Sequence, residues 1–165
     1  MKKIDKGDSA KCKVGIPHFL YEKLKMQYSI EEVSKILAGY CENRKTTFRV
    51  NTLKSNTEEI ESVLKNHSIS YQRVDWYDEA YILENENEID IRNLSIYEEG
   101  KIYLQSLSSM LPAILMEPQQ GENILDMAAA PGGKTTQMAT ISRNTALITA
   151  CEKNKIRAER LKYNI

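Results

Sequence analysis

The stretch ILDMAAAPGGKTTQMA, Ile124 to Ala139, limits the fold more than any other part of the sequence. An apolar run of strand character passes through an elbow of small residues straight into a helix-like segment. The same order follows at once, with Ala146–Cys151 reading as a strand and Lys155–Ile165 as a helix. A strand–helix–strand–helix series of this kind belongs to a doubly wound parallel sheet. Four elements do not close such a sheet, so the expectation here is the first, incomplete part of a Rossmann-like domain.

The elbow raises the question of a ligand. A phosphate-binding P-loop needs Gly-x-x-x-x-Gly-Lys-[Ser/Thr], whose amides wrap the phosphates. Counting back from Gly133-Lys134-Thr135 puts Ala128 where the first glycine belongs, and Pro131 removes a donor from the cradle. The dinucleotide fingerprint Gly-x-Gly-x-x-Gly also fails, because Gly132 and Gly133 are adjacent. A bare connection with no ligand suits any α/β protein. A third option fits better. Ligands of doubly wound sheets lie over the carboxyl ends of the strands, and an acidic residue on the next strand tip can accept from ribose hydroxyls. Glu152, at the end of TALITACE, holds that place. An adenosyl ligand without a diphosphate, such as S-adenosylmethionine, suits the pair.

Upstream, the periodicity changes. Pro17–Tyr28 and SIEEVSKIL read as two helices, the second with Ser29 and Glu32 in capping-box positions and Gly39 as a stop. TTFRVNTLK alternates as a strand, and NTEEIESVLKNH reads as a helix capped by Asn56. Tyr71–Val74 and Ala80–Leu83 read as strands, and Ile89–Ile91 and Lys101–Leu104 as shorter ones. These predict a small α+β unit of RRM-like character over roughly residues 45–104. SLSSMLPAILME predicts a helix, with Pro112 placed in its first turn, where a missing donor costs little. Met1–Gly15 carries no periodicity and is expected to be flexible. The expected organisation is therefore a flexible stretch over 1–15, an α+β domain over 16–104 and the start of a Rossmann-like domain over 105–165.

Composition narrows the class of protein. With 41% hydrophobic and 28% charged residues the chain can build a core. No apolar run nears the ~20 residues that span a bilayer, so no membrane role is expected. Three cysteines without paired spacing and two histidines make a metal site improbable and suggest free thiols in a reducing compartment, the cytoplasm. The net charge of zero conceals an asymmetry: +6 over residues 1–55, −10 over 56–125 and +4 over 126–165. Lys2, Lys3, Lys6, Lys11, Lys13, Arg44, Lys45, Arg49 and Lys54 offer a polyanion contact, although solvated surface lysines explain the charge more simply. Trp76, Tyr77 and Tyr81 could stack on unpaired bases, with packing inside the small domain the preferred reading.

The residues also carry a resemblance. LDMAAAPGGKTTQMA closely resembles the cofactor motif of the RsmB/NOP (Sun, Fmu-like) RNA cytosine-5 methyltransferases. FRVNTLK is similar to an N-terminal signature of that family, YEEGKIYLQSLSSMLP to its approach to the methyltransferase core, and CEKNKIRAERLKYNI to the segment after its second strand. The likeness runs from about Pro17 to Ile165. It implies an S-adenosylmethionine-dependent enzyme that methylates C5 of cytosine in rRNA or tRNA. It also implies that Ala128, Ala129, Ala130, Pro131, Gly132, Gly133 and Lys134 line the cofactor's methionine end. Glu152 would bind the ribose, supported by Arg157. Apart from the resemblance, Asp126 at the end of the first strand is read as orienting the loop, with direct cofactor contact the lesser reading. Three departures stand out. Ala128 replaces the commoner cysteine, Ser106 the commoner aspartate, and Glu152 a shorter aspartate.

The family attacks cytosine C6 with a thiolate in a Thr-Cys-Ser motif, helped by an Asp-x-Pro-Cys motif. Neither motif occurs in these 165 residues, and Cys12, Cys41 and Cys151 read as structural or incidental. The expectation is an N-terminal portion of such an enzyme with part of a cofactor site, no catalytic cysteine and no activity of its own. The alternative is a non-catalytic RNA-binding module with a vestigial methyltransferase fold. An incomplete sheet leaves an open edge, so self-association is also expected.

Overall fold

A computed structural model of the chain describes residues 16–42, 44–85 and 88–165. The expectation for Met1–Gly15, and the lysines it contains, lie outside those residues. The chain divides into two compact units at Arg44/Lys45.

The first unit contains α1 (His18–Gln27) and α2 (Ile30–Gly39). The capping box is present: Ser29 Oγ accepts from the Glu32 amide at 3.3 Å, and the Ser29 amide donates to Glu32 Oε2 at 2.9 Å. The backbone and hydroxyl bonds from Ser29 hold the Glu32 carboxyl below the usual glutamate range. Cys41, just past α2, is disulfide-bonded, so the expectation of free thiols fails there.

The second unit runs β1 (Thr47–Val50), α3 (Thr57–Asn66), β2 (Tyr71–Val74), β3 (Tyr77–Leu83), α4 (Glu88–Arg92), α5 (Ser95–Glu98), β4 (Ile102–Leu104), α6 (Leu107–Leu115), β5 (Asn123–Asp126), α7 (Gly133–Ile141), β6 (Leu147–Ala150) and α8 (Lys155–Asn164). The first four strands form an antiparallel sheet in the order β2-β3-β1-β4. Its core joins Phe48, Val50, Tyr81 and Leu83 from the strands to Ile60 and Leu64 of α3 and to Ile91 and Ile96 of the short helices. Phe48 and Tyr81 stack at 5.2 Å. Asn56 caps α3 by accepting from the Glu59 amide at 2.8 Å, as its place in the sequence predicts. The mixed α/β expectation therefore holds: a small antiparallel unit comes first, then strand–helix–strand–helix. In that later part β5 and β6 pair in parallel from Asn123↔Leu147 to Asp126↔Ala150.

Three local expectations are corrected. Residues 89–91 lie in helix α4, where Glu88 and Arg92 pair one turn apart at 3.2 Å and only Ile91 turns inward. Two isoleucines flanking Asp90 alternate as a short strand would and are too few to show a helical period. Pro112 stands at the sixth position of α6, not in its first turn. It is exposed, as is Ser108, whose carbonyl loses its helical donor and can turn to water. Cys151 lies beyond the end of β6 as an exposed free thiol, not on a core strand.

Candidate functional site

β5 ends at Asp126, whose carboxylate grips the elbow at two points. Oδ1 accepts from the Ala128 amide at 3.2 Å and Oδ2 from the Thr135 hydroxyl at 2.7 Å, so one side chain holds both the start of the loop and the first turn of α7. This is the orienting role expected of it. Past the strand ends the backbone ladder continues, with Cys151 donating to Asp126 at 2.8 Å and Ala129 donating to Cys151 at 3.1 Å. The Ala130–Pro131 bond is cis, and the Gly132 amide closes a turn onto the Ala129 carbonyl at 2.7 Å.

The two glycines differ in what a side chain would meet. Gly132 has φ +114°, a conformation that side chains rarely adopt. Gly133 has an ordinary φ, but a Cβ there would stand 3.3 Å from both Gln105 Oε1 and Tyr103 Cε1. The first amides of α7 have no intrahelical partner and carry the positive end of its dipole. The elbow can therefore receive an anionic group through backbone alone.

Glu152 stands beyond the tip of the neighbouring strand with its side chain only 7% exposed. Oε1 accepts from the Asn154 amide at 2.8 Å, and Oε2 lies 3.4 Å from Arg157 Nη1. Arg157 Nη2 donates in turn to the Ala130 carbonyl. The strand tip, α8 and the elbow are thus joined through one guanidinium. A carboxylate offers about four lone-pair directions, so Glu152 retains acceptor capacity. Asn164, at the other end of α8, donates to the Pro131 carbonyl at 2.7 Å.

The predicted site residues Ala128 to Lys134, Glu152 and Arg157 are therefore neighbours, but they are not alike. Ala129 and Ala130 are buried against Leu161 and Ala150, so they present backbone and not side chains. Ala128, Pro131 and Lys134 are exposed. Lys134 also borders a shallow groove with Pro112, Met116, Leu125, Met127 and Met138. Small residues, a helix start whose first amides have no intrahelical partner and a carboxylate with spare lone pairs fit an adenosyl ligand with a charged tail.

Sequence reasoning missed Arg49, which it had placed among polyanion contacts. The residue is fully buried and faces α7. Its Nε donates to Gln105 Oε1 at 3.0 Å, and Nη2 donates to the Gly133 carbonyl at 3.1 Å and to Thr136 Oγ1 at 2.7 Å. Burial pushes its pKa down to about 10, so it remains charged at neutral pH. The available signal was an arginine between Phe48 and Val50, on the second face of a strand that proved to be covered on both. Lys45 and Lys54 are exposed as expected. Tyr81 is buried and Tyr77 half-buried, in line with packing, whereas Trp76 is 47% exposed and stacks on Tyr77. Among the described residues no helix is long and apolar enough to cross a membrane, and no metal-sized cluster of His, Cys, Asp or Glu occurs.

A family described as the N-terminal domain of 16S rRNA methyltransferase RsmF matches residues 16–107, and one described as 16S rRNA methyltransferase RsmB/F matches residues 113–165. The 25S rRNA (cytosine-C(5))-methyltransferase nop2 of Schizosaccharomyces pombe is 34% identical over 151 residues, 92% of this chain and 25% of that protein. The tRNA (cytosine(49)-C(5))-methyltransferase of Pyrococcus abyssi is 33% identical over 145 residues, 87% of this chain and 46% of that one. A solved methyltransferase homolog protein from Pyrococcus horikoshii superposes with a TM-score of 0.73 at 29% identity, covering 90% of this chain and 52% of that one. The chain thus spans a quarter of the length of its fission-yeast relative and about half of the two archaeal ones.

Proposed function

The chain belongs to the RsmB/F family of RNA methyltransferases, and from that premise we propose that it supplies part of the cofactor site for methylation of cytosine C5 in rRNA or tRNA. The donor is S-adenosylmethionine, whose contribution when bound is an electrophilic methyl group. Residues 16–104 form the RNA-facing part and residues 105–165 the start of the methyltransferase domain, a division supported by the gap between the two matched segments.

The chain's own residues bind and orient. The Ala128–Gly133 backbone and the start of α7 take the charged methionine end. Glu152 accepts from the ribose hydroxyls, and Arg157 holds that carboxylate in place while fixing the elbow through the Ala130 carbonyl. Asp126 keeps the loop in register. The observation that carries this reading is the continuous path from Glu152 through Arg157 to the elbow. The nucleophile is not supplied here, because neither cysteine motif occurs in the sequence. The protein acts in the cytoplasm, on RNA and not at a membrane or metal.

Calorimetric titration with S-adenosylhomocysteine tests the site. Binding is expected, weakened tenfold or more by Glu152→Ala; full affinity in that variant overturns the assignment. Labelled S-adenosylmethionine with rRNA or tRNA should give no transfer by this chain, and turnover would refute the reading of the missing thiol. A second reading, a non-catalytic RNA-binding module, is favoured by the larger core of the antiparallel sheet. It requires RNA binding with indifference to S-adenosylhomocysteine.

A further inference from the structure

Arg49 is costly to keep. It is charged, fully buried and has no carboxylate within ion-pair distance among the described residues. Its Nη1 has no hydrogen-bond partner. Glu79 acts on the guanidinium only at longer range, so most of the cost of taking the ion out of water must be met by its hydrogen bonds. A leucine or methionine would satisfy packing at the same point of β1, so packing does not explain the arginine.

What the guanidinium touches does. Nη2 holds the Gly133 carbonyl and the Thr136 hydroxyl together, and Thr136 Oγ1 donates in turn to the Gly132 carbonyl at 2.7 Å. Nε holds Gln105 Oε1, an atom that would stand only 3.3 Å from a Cβ at position 133. Gln105 Nε2 then donates to the Ser109 carbonyl and to Gln137 Oε1, at 2.9 and 3.0 Å. The Tyr103 ring lies 5.3 Å from the cation. The side-chain hydrogen bonds of Arg49 therefore end on the Gly133 carbonyl, the Thr136 hydroxyl or the glutamine beside them. Asn51, two residues on, joins Gly100 to Thr140 by bonds of 3.0 and 3.4 Å.

We infer that Arg49 is a positioning residue of the cofactor elbow: from the antiparallel sheet it fixes the Gly132–Gly133 carbonyls from behind, and so aims the amides of the first turn of α7 at the ligand. This rests on the assignment of the elbow as the S-adenosylmethionine site. A lysine preserves the charge but not the planar fork that spans Gln105, Gly133 and Thr136.

The test uses the full chain with Arg49→Lys and Thr136→Val, the second cutting the same link from the other side should the first fail to fold. Amide hydrogen exchange is read residue by residue. Exchange at the hydrogen-bonded amides of Gly132 and Thr136 should quicken at least tenfold in either variant, while the amides of Phe48 and Tyr81 keep their protection. S-adenosylhomocysteine affinity should fall about tenfold, with RNA affinity unchanged. An unaltered elbow, or loss of protection everywhere in proportion, overturns the inference. If wild-type chain binds no S-adenosylhomocysteine, the cofactor assignment fails by itself, and the exchange pattern still decides the role of Arg49.

Discussion

The antiparallel sheet and the parallel pair of the second unit solve the problem of burial in opposite ways. β1 and β3 place residues of both faces in the interior, and ten residues of the described chain join into one core around Phe48 and Tyr81. β5 and β6 bury little: Leu125 is 59% and Leu147 68% exposed, and the clusters beneath them gather around Ala113, Ile124 and Met138 or around Ala129, Ala130 and Leu161. A parallel strand normally carries helices on both faces and neighbours on both edges. The pair here holds its shape through polar ties instead, those of Asp126, Arg157 and Arg49. Hydrophobic area stabilises one region, and specific hydrogen bonds position the other.

The sharpest way to break the contrast is Phe48→Ala. It removes a fully buried ring and its stacking partner's contact, and about 3–5 kcal/mol should be lost. Urea denaturation followed by tyrosine fluorescence would measure it, and a loss below 1 kcal/mol would put the core elsewhere. Ile124→Ala in β5 should cost less, about 2 kcal/mol, because its surroundings are half open and collapse more readily. Hydrogen exchange should then show the β5–β6 ladder opening while β1–β3 stays protected. Simultaneous loss in both sheets would mean that the regions are one cooperative unit.

A smaller effect concerns pH. Burial alone would raise the Glu61 pKa, but hydrogen bonds from Arg73, Tyr81 and Tyr71 outweigh it and hold the carboxyl below its ordinary value. A group depressed in the folded state stabilises above its unfolded pKa, about 4.3 for glutamate, and that contribution disappears as pH falls through the folded value. The stability difference between wild type and Glu61→Gln should therefore be present at pH 7, start to shrink as pH falls past the ordinary glutamate range, and be gone only below the depressed folded value; a constant difference would remove the ionic explanation. The smallest expected change is Leu147→Ser, within about 0.5 kcal/mol because the side chain is already in water. Its effect should appear in light scattering, where the self-association expected of an open apolar edge is reduced. A wild-type chain that is monomeric at all concentrations would show that the edge is harmless.

The legible parts of the sequence were those governed by local rules. Capping at Ser29 and Asn56, the strand before the elbow and the helix after it depend on neighbours within a few residues, so pattern reading placed them well. Ile89–Ile91 and Pro112 were misplaced because two isoleucines around Asp90 have no distinguishable period and because an exposed helix face tolerates a missing donor. The spatial grouping of the elbow with Glu152 and Arg157 followed from topology, since parallel strands bring their carboxyl ends together.

The sequence by itself determined the strand–elbow–helix and the small-residue character of the elbow, because these depend on neighbours within a few positions. Only the tertiary structure decided that Gly132 takes a positive φ, that Gln105 and Tyr103 crowd position 133, which alanines are reduced to backbone, and that Arg49 faces the elbow and not solvent. Those depend on which side chains arrive from about 28 to 84 residues away, and no short-range pattern records such an approach.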